Sequence, residues 1–446
     1  MNVRLSDLDA CFEGVIPSII ATAAADGMPN VSYLSHVVRV DDNHVALSNQ
    51  FFAKTAANIR ANPQATLILV DCISGDQFLL DISFTRSVET GPLFEKIARQ
   101  LKASSEQVGM SEVMRLRSAD VFRVHHIEQV PSPVELHNPA RLRPPVSLSA
   151  LSEAVRAIER EAEAEEIIDS LLRHVEQVLG LGHALVLIPD SHRGHLVTTG
   201  SRGYERSGLG SEVMQGEGLI GAAAASGQSV KVSDMSRVRR FGEAIFDAEG
   251  SEASTRSVAL PQLPMAMSQI AVPLIARGVV IGVLFVESTE RMAFRVEDES
   301  ALEILASAAA NALRASEGEV GRPEPTRALL AVKTSSGGRS IRVVHHRVDD
   351  SVFVDGTYIV KGVAGALLRL MLEWRARDGR TEFTNREMRL AIGAKMPEIK
   401  DNLETRLLLL RRRLEEKCAP IQIIRVARGR VRLNADGPIE LEASQD

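Results

Sequence analysis

The segment "SNQFFAKTAANIRANPQATLILVD", residues 48 to 71, places Ser48 at the end of a strand-like run and Lys54 and Thr55 at the mouth of a short amphipathic helix. A hydroxyl, an ammonium and the first amides of a helix brought together there would bind one anion, because helix N-terminal amides carry partial positive charge. Asn49 adds an amide donor beside Ser48. The plain alternative is that Ser48 closes a strand, Thr55 caps a helix and Lys54 is solvated. A second concentration of chemistry lies between 399 and 432. Ten basic residues (Lys400, Arg406, Arg411, Arg412, Arg413, Lys417, Arg425, Arg428, Arg430, Arg432) stand there against four acids (Asp401, Glu404, Glu415, Glu416). In a chain of formal net charge -6, that is a local footprint for phosphate. His125 and His126 are adjacent on a strand-like run and point to opposite faces, so they cannot ligate one metal as a pair. Cys11, Cys72 and Cys418 lie far apart, with no metal-ligand spacing, and a reducing, cytoplasmic compartment is the expectation.

Positioning these groups takes several cores, since 446 residues exceed what one core holds and suggest two to four domains. Charged residues at 25% and hydrophobic ones at 45% describe a soluble globular chain. The N-terminus "MNVRLSDLDACFEGVIP" does not resemble a signal peptide, and no run approaches ~18 apolar residues, so no membrane span is expected. Linker composition at 130–149 ("VPSPVELHNPARLRPPVSLS") and 315–326 ("ASEGEVGRPEPT") divides the chain into regions 1–135, 148–316 and 327–446.

The first region alternates short strands with turns such as Asp26-Gly27 and Ser74-Gly75, which predicts a meandering antiparallel barrel with helices near 53–61 and 92–115. The second opens on one long helix whose Leu148, Leu151, Val155, Ile158 and Ala162 form a seam until Glu165 breaks it. With the closing helix "DESALEILASAAANALRAS" it suits a dimer stalk or packing on its own domain equally. The third runs from the strand pair "SVFVDGTYIV" through three helices to the strands "IQIIRVA" and "RVRLN", a winged helix-turn-helix order. On its last helix Leu403, Leu407, Leu410 and Leu414 form a buried stripe, leaving Asn402, Arg406, Arg412 and Arg413 available outside it. Leu408 and Leu409 make that helix more apolar than a free groove-reading face should be. The competing expectation is a basic helix packed in a dimer or on the preceding region.

Three resemblances follow from the quoted segments. Residues 12 to 131 resemble the pyridoxamine 5'-phosphate oxidase-like, FMN-binding split barrel family in "DGMPNVSYLSHVVRVDDNHVALS", "AKTAANIRANPQATLILVD" and "RSADVFRVHHIEQV". The resemblance puts that family's hydroxyl-bearing residue on Ser48 and its phosphate lysine on Lys54. The family's earlier basic pair would fall around Tyr33 to Val37, where only His36 could carry charge. It therefore implies FMN held by His36, Ser48, Asn49, Lys54 and Thr55, with haem or no cofactor as alternatives known among relatives. The oxidase's C-terminal arginine and tryptophan signature is absent, and the single tryptophan, Trp374, lies in the third region, so pyridoxamine phosphate oxidation is not expected.

The second region resembles a GAF domain in "LGHALVLIPD", "GEGLIGAAAASGQSVKVSD" and "SQIAVPLIARGVVIGVLFVES". Such domains cradle a small ligand under a covering loop. Here the loop carries Phe241, Phe246, Met265 and Met267 beside Arg239, Arg240 and Arg256, a composition suited to a ligand with an apolar body and an acidic group. It suits a loop packed on its own domain equally. No cysteine is present for a thioether-linked bilin. Residues 349 to 434 resemble the winged-helix output domain of response regulators in "LRRRLEE" and "IQIIRVARGRVRL", which implies DNA contacts from Asn402, Arg406, Arg412, Arg413, Arg428 and Arg430.

The expected architecture is multidomain α+β: an antiparallel split β-barrel, a GAF α/β sensor domain and a winged helix-turn-helix. The expected function is a dimeric, ligand- or redox-sensing one-component transcriptional regulator that binds double-stranded DNA. A flavin-dependent oxidoreductase with regulatory C-terminal domains is the alternative.

Overall fold

The computed structural model describes residues 3–50, 53–107, 115–132, 144–190, 194–236, 258–318, 340–393, 403–427 and 429–444. Two 3-10 turns, Leu5–Asp7 and Asp9–Glu13, precede a seven-stranded sheet. Its strands are β1 (Ser18–Ala23), β2 (Pro29–Leu34), β3 (Val37–Arg39), β4 (His44–Asn49), β5 (Gln64–Val70), β6 (Gln77–Val88) and β7 (Ser118–Val130). Helix α1 (Ala53–Ala61) follows β4, and α2 (Pro92–Gln107) follows β6. The spatial order is β2-β1-β5-β6-β7-β4-β3, with every pairing antiparallel. Strand alternation sets the two faces. Val45 and Leu47 join Ile20, Leu67, Leu80 and Phe122 in the main core, while Ala46 faces a smaller cluster with Val121 and Ile97 of α2.

The second unit contains α3 (Leu148–Arg160), α4 (Ala164–Leu179), β8 (His183–Asp190), β9 (His195–Arg202), β10 (Glu212–Met214), α5 (Gly218–Ser226), β11 (Val230–Val232), β12 (Ser268–Ala276), β13 (Val279–Ser288) and α6 (Val296–Gly318). Its antiparallel sheet runs β10-β9-β8-β13-β12-β11. Ala184, Val186 and Ile188 of β8 face the α3, α4 and α6 side, and Leu185 and Leu187 face α5. The expected single long opening helix is two helices. Glu161 has extended backbone (φ -70, ψ 134), and α3 folds back onto α6 to bury Leu151, Ala154 and Ile158. Leu148, the first residue of the expected seam, is 80% exposed. Within this chain the flanking helices therefore pack on their own domain. Burying an apolar stripe against a neighbour already present outweighs continuing a helix through the charged run at 159–166.

The third unit contains β14 (Ile341–His346), β15 (Val352–Val354), β16 (Thr357–Val360), α7 (Gly362–Asp378), β17 (Glu382–Thr384), α8 (Asn385–Gly393), α9 (Leu403–Glu416), β18 (Ile421–Ala427), β19 (Arg430–Ala435) and β20 (Ile439–Ser444). One sheet runs β16-β15-β14-β20, with β20 parallel to β14, and a smaller one runs β17-β19-β18. Helices α7, α8 and α9 pack on one another. Gly365 is required where α7 crosses the loop before β15, because an added β-carbon would lie 1.8 Å from the Asp350 carbonyl oxygen. As expected, Leu403, Leu407, Leu410 and Leu414 of α9 lie in this unit's core. Among the described residues, no helix is long and apolar enough to cross a membrane.

Candidate functional site

At the start of α1 the five residues expected to hold an anion do not converge on one. Ser48 is fully buried and its hydroxyl accepts from the His36 backbone N–H at 3.1 Å. The Asn49 amide donates to Asp120 at 3.0 Å, a carboxylate that also accepts from Ser87 and Ser118. Thr55 Oγ1 lies 3.0 Å from the Asn30 amide and 2.9 Å from the Ser32 hydroxyl, inside the wall formed by β2 and α1. Burial pushes the His36 imidazole down to about 4, so it is neutral near pH 7 and supplies no charge. Lys54 alone of the five is exposed. The hydroxyls and amides are matched to one another within the barrel wall, and this donor set does not fit a flavin phosphate. His125 is engaged with Ser83 at 2.7 Å, and among the described residues no group of His, Cys, Asp or Glu could hold a metal ion.

The second unit holds a cavity of about 730 Å³ between β10, α5, β13 and the segment 260–266. Leu219, Ile220, Met235, Leu260, Met265 and Phe285 supply apolar wall; Glu212, Glu217, Gln269 and Glu287 supply the polar groups. Glu287 is 2% exposed and organises the site. It accepts from Tyr204 Oη (2.8 Å), Gln269 Nε2 (2.7 Å) and the Leu263 backbone N–H (3.0 Å), so one carboxylate ties strand, sheet edge and covering segment together. Burial is the largest influence on Glu287 and raises its pKa above the usual glutamate value, against those three donors. His183, which opens β8, sets its ring edge-on to Tyr204 at 5.5 Å.

Of the residues expected around this cavity, Met265 lines it, whereas the Met267 backbone N–H pairs with Ser288 at 2.8 Å. Phe241, Phe246 and Arg256, with Arg239 and Arg240, lie outside the described residues. The described wall is acidic and contains no Lys or Arg; the arginines on which the expected preference for an acidic ligand rested lie outside the described residues. The sequence reading overlooked Glu287, although an acid closing the apolar run "VLFVE" was a signal for a buried carboxylate.

The basic helix α9 is not free. Arg406 is 5% exposed and donates to the Pro189 carbonyl of β8; burial holds its guanidinium below the usual arginine value. Arg412 donates to the Thr199 carbonyl at 2.8 Å and pairs with Asp169 of α4 at 2.7 Å. Arg413, 2% exposed, donates to the Ile359 carbonyl (2.9 Å) and pairs with Glu416 (2.7 Å). Arg411 pairs with Glu165, and Arg425 with Glu163. The expectation that Arg406, Arg412 and Arg413 stand available is therefore corrected: Arg406 and Arg412 are held by the second unit, and Arg413 by Ile359 and Glu416 of its own. The high leucine content has the same cause, since Leu408 joins the second unit's core and Leu409 the third's. Arg430, on the hairpin, is 3.9 Å from Glu382 with 46% of its side chain exposed. Asn402 and Arg428 lie outside the described residues.

Comparison with known proteins assigns two of the units. Residues 161–314 match the family model of the GAF domain, and residues 7–130 that of pyridoxamine 5'-phosphate oxidase. Over 124 residues the chain is 32% identical to the Nif-specific regulatory protein of Azotobacter vinelandii, a stretch amounting to 26% of this chain and 22% of that protein's length. Among solved structures, it is similar to the GAF domain of an Acinetobacter phosphoenolpyruvate-protein phosphotransferase, at 20% identity over 40% of this chain and 97% of that one, with a TM-score of 0.32. An FMN-binding protein from Syntrophomonas wolfei subsp. wolfei is similar at 16% identity over 28% of this chain and 84% of that one, with a TM-score of 0.24. The chain thus carries an N-terminal pyridoxamine 5'-phosphate oxidase-type domain and a GAF domain.

Proposed function

We propose that this chain is a ligand-sensing transcriptional regulator: the GAF cavity is the sensor and the third unit is a winged-helix output that binds double-stranded DNA. The observation that carries this reading is the third unit's construction. A four-stranded sheet, three packed helices and the β18–β19 hairpin put a basic helix, α9, beside that hairpin, whose second strand opens on Arg430. In such a unit the last helix enters the major groove and the hairpin meets the backbone. Partial identity to a Nif-specific regulatory protein supports a regulatory role.

For the sensor, the described walls favour a ligand with an apolar body that presents hydrogen-bond donors or positive charge to Glu212, Glu217 and Glu287. In the barrel, Ser48, Asn49 and Thr55 are held by partners in the wall and His36 is uncharged, so sensing is placed in the GAF cavity and not on a flavin. The test offers duplex fragments of the source genome to the full chain at low salt, with and without small-molecule extract. A regulator retains a subset of fragments. A chain that retains none, either in native form or with the carboxylates facing α9 neutralised, is not a DNA-binding regulator.

A further inference from the structure

We propose that the GAF domain latches the DNA-reading helix shut, and that Glu212 connects the latch to the ligand cavity. This inference rests on the DNA-binding reading of the third unit. Three carboxylates of the GAF domain stand where phosphates would stand. Glu163, Glu165 and Asp169, at the start of α4, meet Arg425, Arg411 and Arg412 in turn. Arg406 and Arg412 also donate to main-chain carbonyls of β8 and β9, so a duplex cannot reach them in this arrangement.

The contact has the character of a releasable surface. Its apolar part is confined to Leu408 in the GAF core and to Val197 and Leu209 in the third unit's core; the polar part is arginines of α9 and β18, for which a DNA phosphate can replace each carboxylate partner in kind. Further out, Ser207 donates to Glu416 at 2.7 Å across the same boundary.

Glu212 occupies both places. It lines the large GAF cavity, and it also lines a small space with Arg406, Tyr358 and Lys361 at the boundary with the third unit. Its carboxylate pairs with Lys361 Nζ at 2.7 Å, and Lys361 is the residue from which α7 starts. A ligand that brings positive charge or donors to the cavity competes with Lys361 for Glu212. Occupancy then weakens a strut of the latch, which is the differential interaction a switch requires.

The test uses the full chain and a fluorescent mixed-sequence duplex of about 30 base pairs, long enough for several phosphate contacts. In Glu163→Gln/Glu165→Gln/Asp169→Asn, binding at low salt tightens at least ~10-fold, and the slope of log K against log salt steepens by about 3, as three arginines gain phosphates. Amide exchange in α9 accelerates in parallel. A second variant, Ser207→Cys/Glu416→Cys in a Cys418→Ser background, closes the latch when a short bis-maleimide joins the two thiols; the duplex is refused by the linked chain and bound by the unlinked one. If the linked chain binds as tightly as the unlinked one, or the native chain binds as tightly as the neutralised variant, the latch is refuted and the DNA-binding reading survives. If α9 exchanges freely in the neutralised variant and the duplex is still refused, the DNA-binding reading fails and the latch with it.

Discussion

Lys231 ties the barrel to the GAF domain through a buried ion cluster. On the edge strand β11 its ammonium lies 2.8 Å from Glu13 of the N-terminal 3-10 turn and 3.1 Å from Glu299 of α6. Ser233 donates to the second oxygen of Glu13 at 2.5 Å. Side-chain exposures of 13%, 13% and 28% mark the cluster as largely desolvated. Burial works against the Lys231 charge, but Glu13 and Glu299 outweigh it and leave the pKa above the ordinary lysine value. A raised lysine pKa gives stability that is fully present below the unfolded value and is lost only as pH rises through the folded one, so the native tie is insensitive near neutrality.

Lys231→Met keeps the stem and strands two facing carboxylates. Removing one partner of a fully buried pair costs about 3–5 kcal/mol, and with the residual exposure here roughly 2–3 kcal/mol is expected. Glu13→Gln added to Lys231→Met removes one of the two stranded charges and recovers part of the deficit. Amide exchange in β11 and the turn Asp9–Glu13 reads this locally without assuming two-state unfolding of several domains. A variant within ~0.5 kcal/mol of native, a margin typical of surface substitutions, would refute the reasoning.

Three further outcomes are expected. His36, pushed down to about 4 by burial with its Nδ1 sealed from water, stabilises the barrel above the unfolded histidine value of about 6.5; that stability is lost as pH falls toward 4. The residue keeps some exposure, so about 2 kcal/mol is at stake rather than the full linkage value; His36→Leu abolishes the acid sensitivity in exchange of β4 amides, and a ring titrating near its ordinary value by NMR would contradict this. Glu287, whose pKa burial raises, makes the folded GAF domain hold a proton longer than the unfolded chain, so stability declines as pH rises from the ordinary glutamate range through the raised value. Glu287→Gln flattens that decline in exchange of β13, and an unchanged slope would count against it. Finally, purified protein mixed with FMN and desalted retains no stoichiometric flavin; retention that Lys54→Ala abolishes would restore Lys54 as a phosphate ligand.

Local chemistry was legible where it depended on neighbours in sequence. The alternation of Val45, Ala46 and Leu47, the Asp26-Gly27 turn and the Leu403–Leu414 stripe each follow from a period or a backbone requirement carried by a few residues. The GAF strands, read as apolar runs with turns, stand where their segments placed them. The break at Glu161 was less legible, because the helical period runs through it; what stops the helix is α6, more than a hundred residues later, offering α3 an apolar surface.

The candidate sites divide the same way. Residue types at 48–55 and 399–432 determined that each segment held donors or cations in number. Whether those groups face a ligand or each other was decided by strands and helices far away in sequence: β2 for Thr55, Asp120 for Asn49, and α4, β8 and β9 for the arginines of α9. An arginine on a helix has the same period whether it meets water, a phosphate or Asp169. Sequence specified its charge and its face, and tertiary packing specified its partner, because desolvation and pairing depend on the three-dimensional neighbours that surround a group.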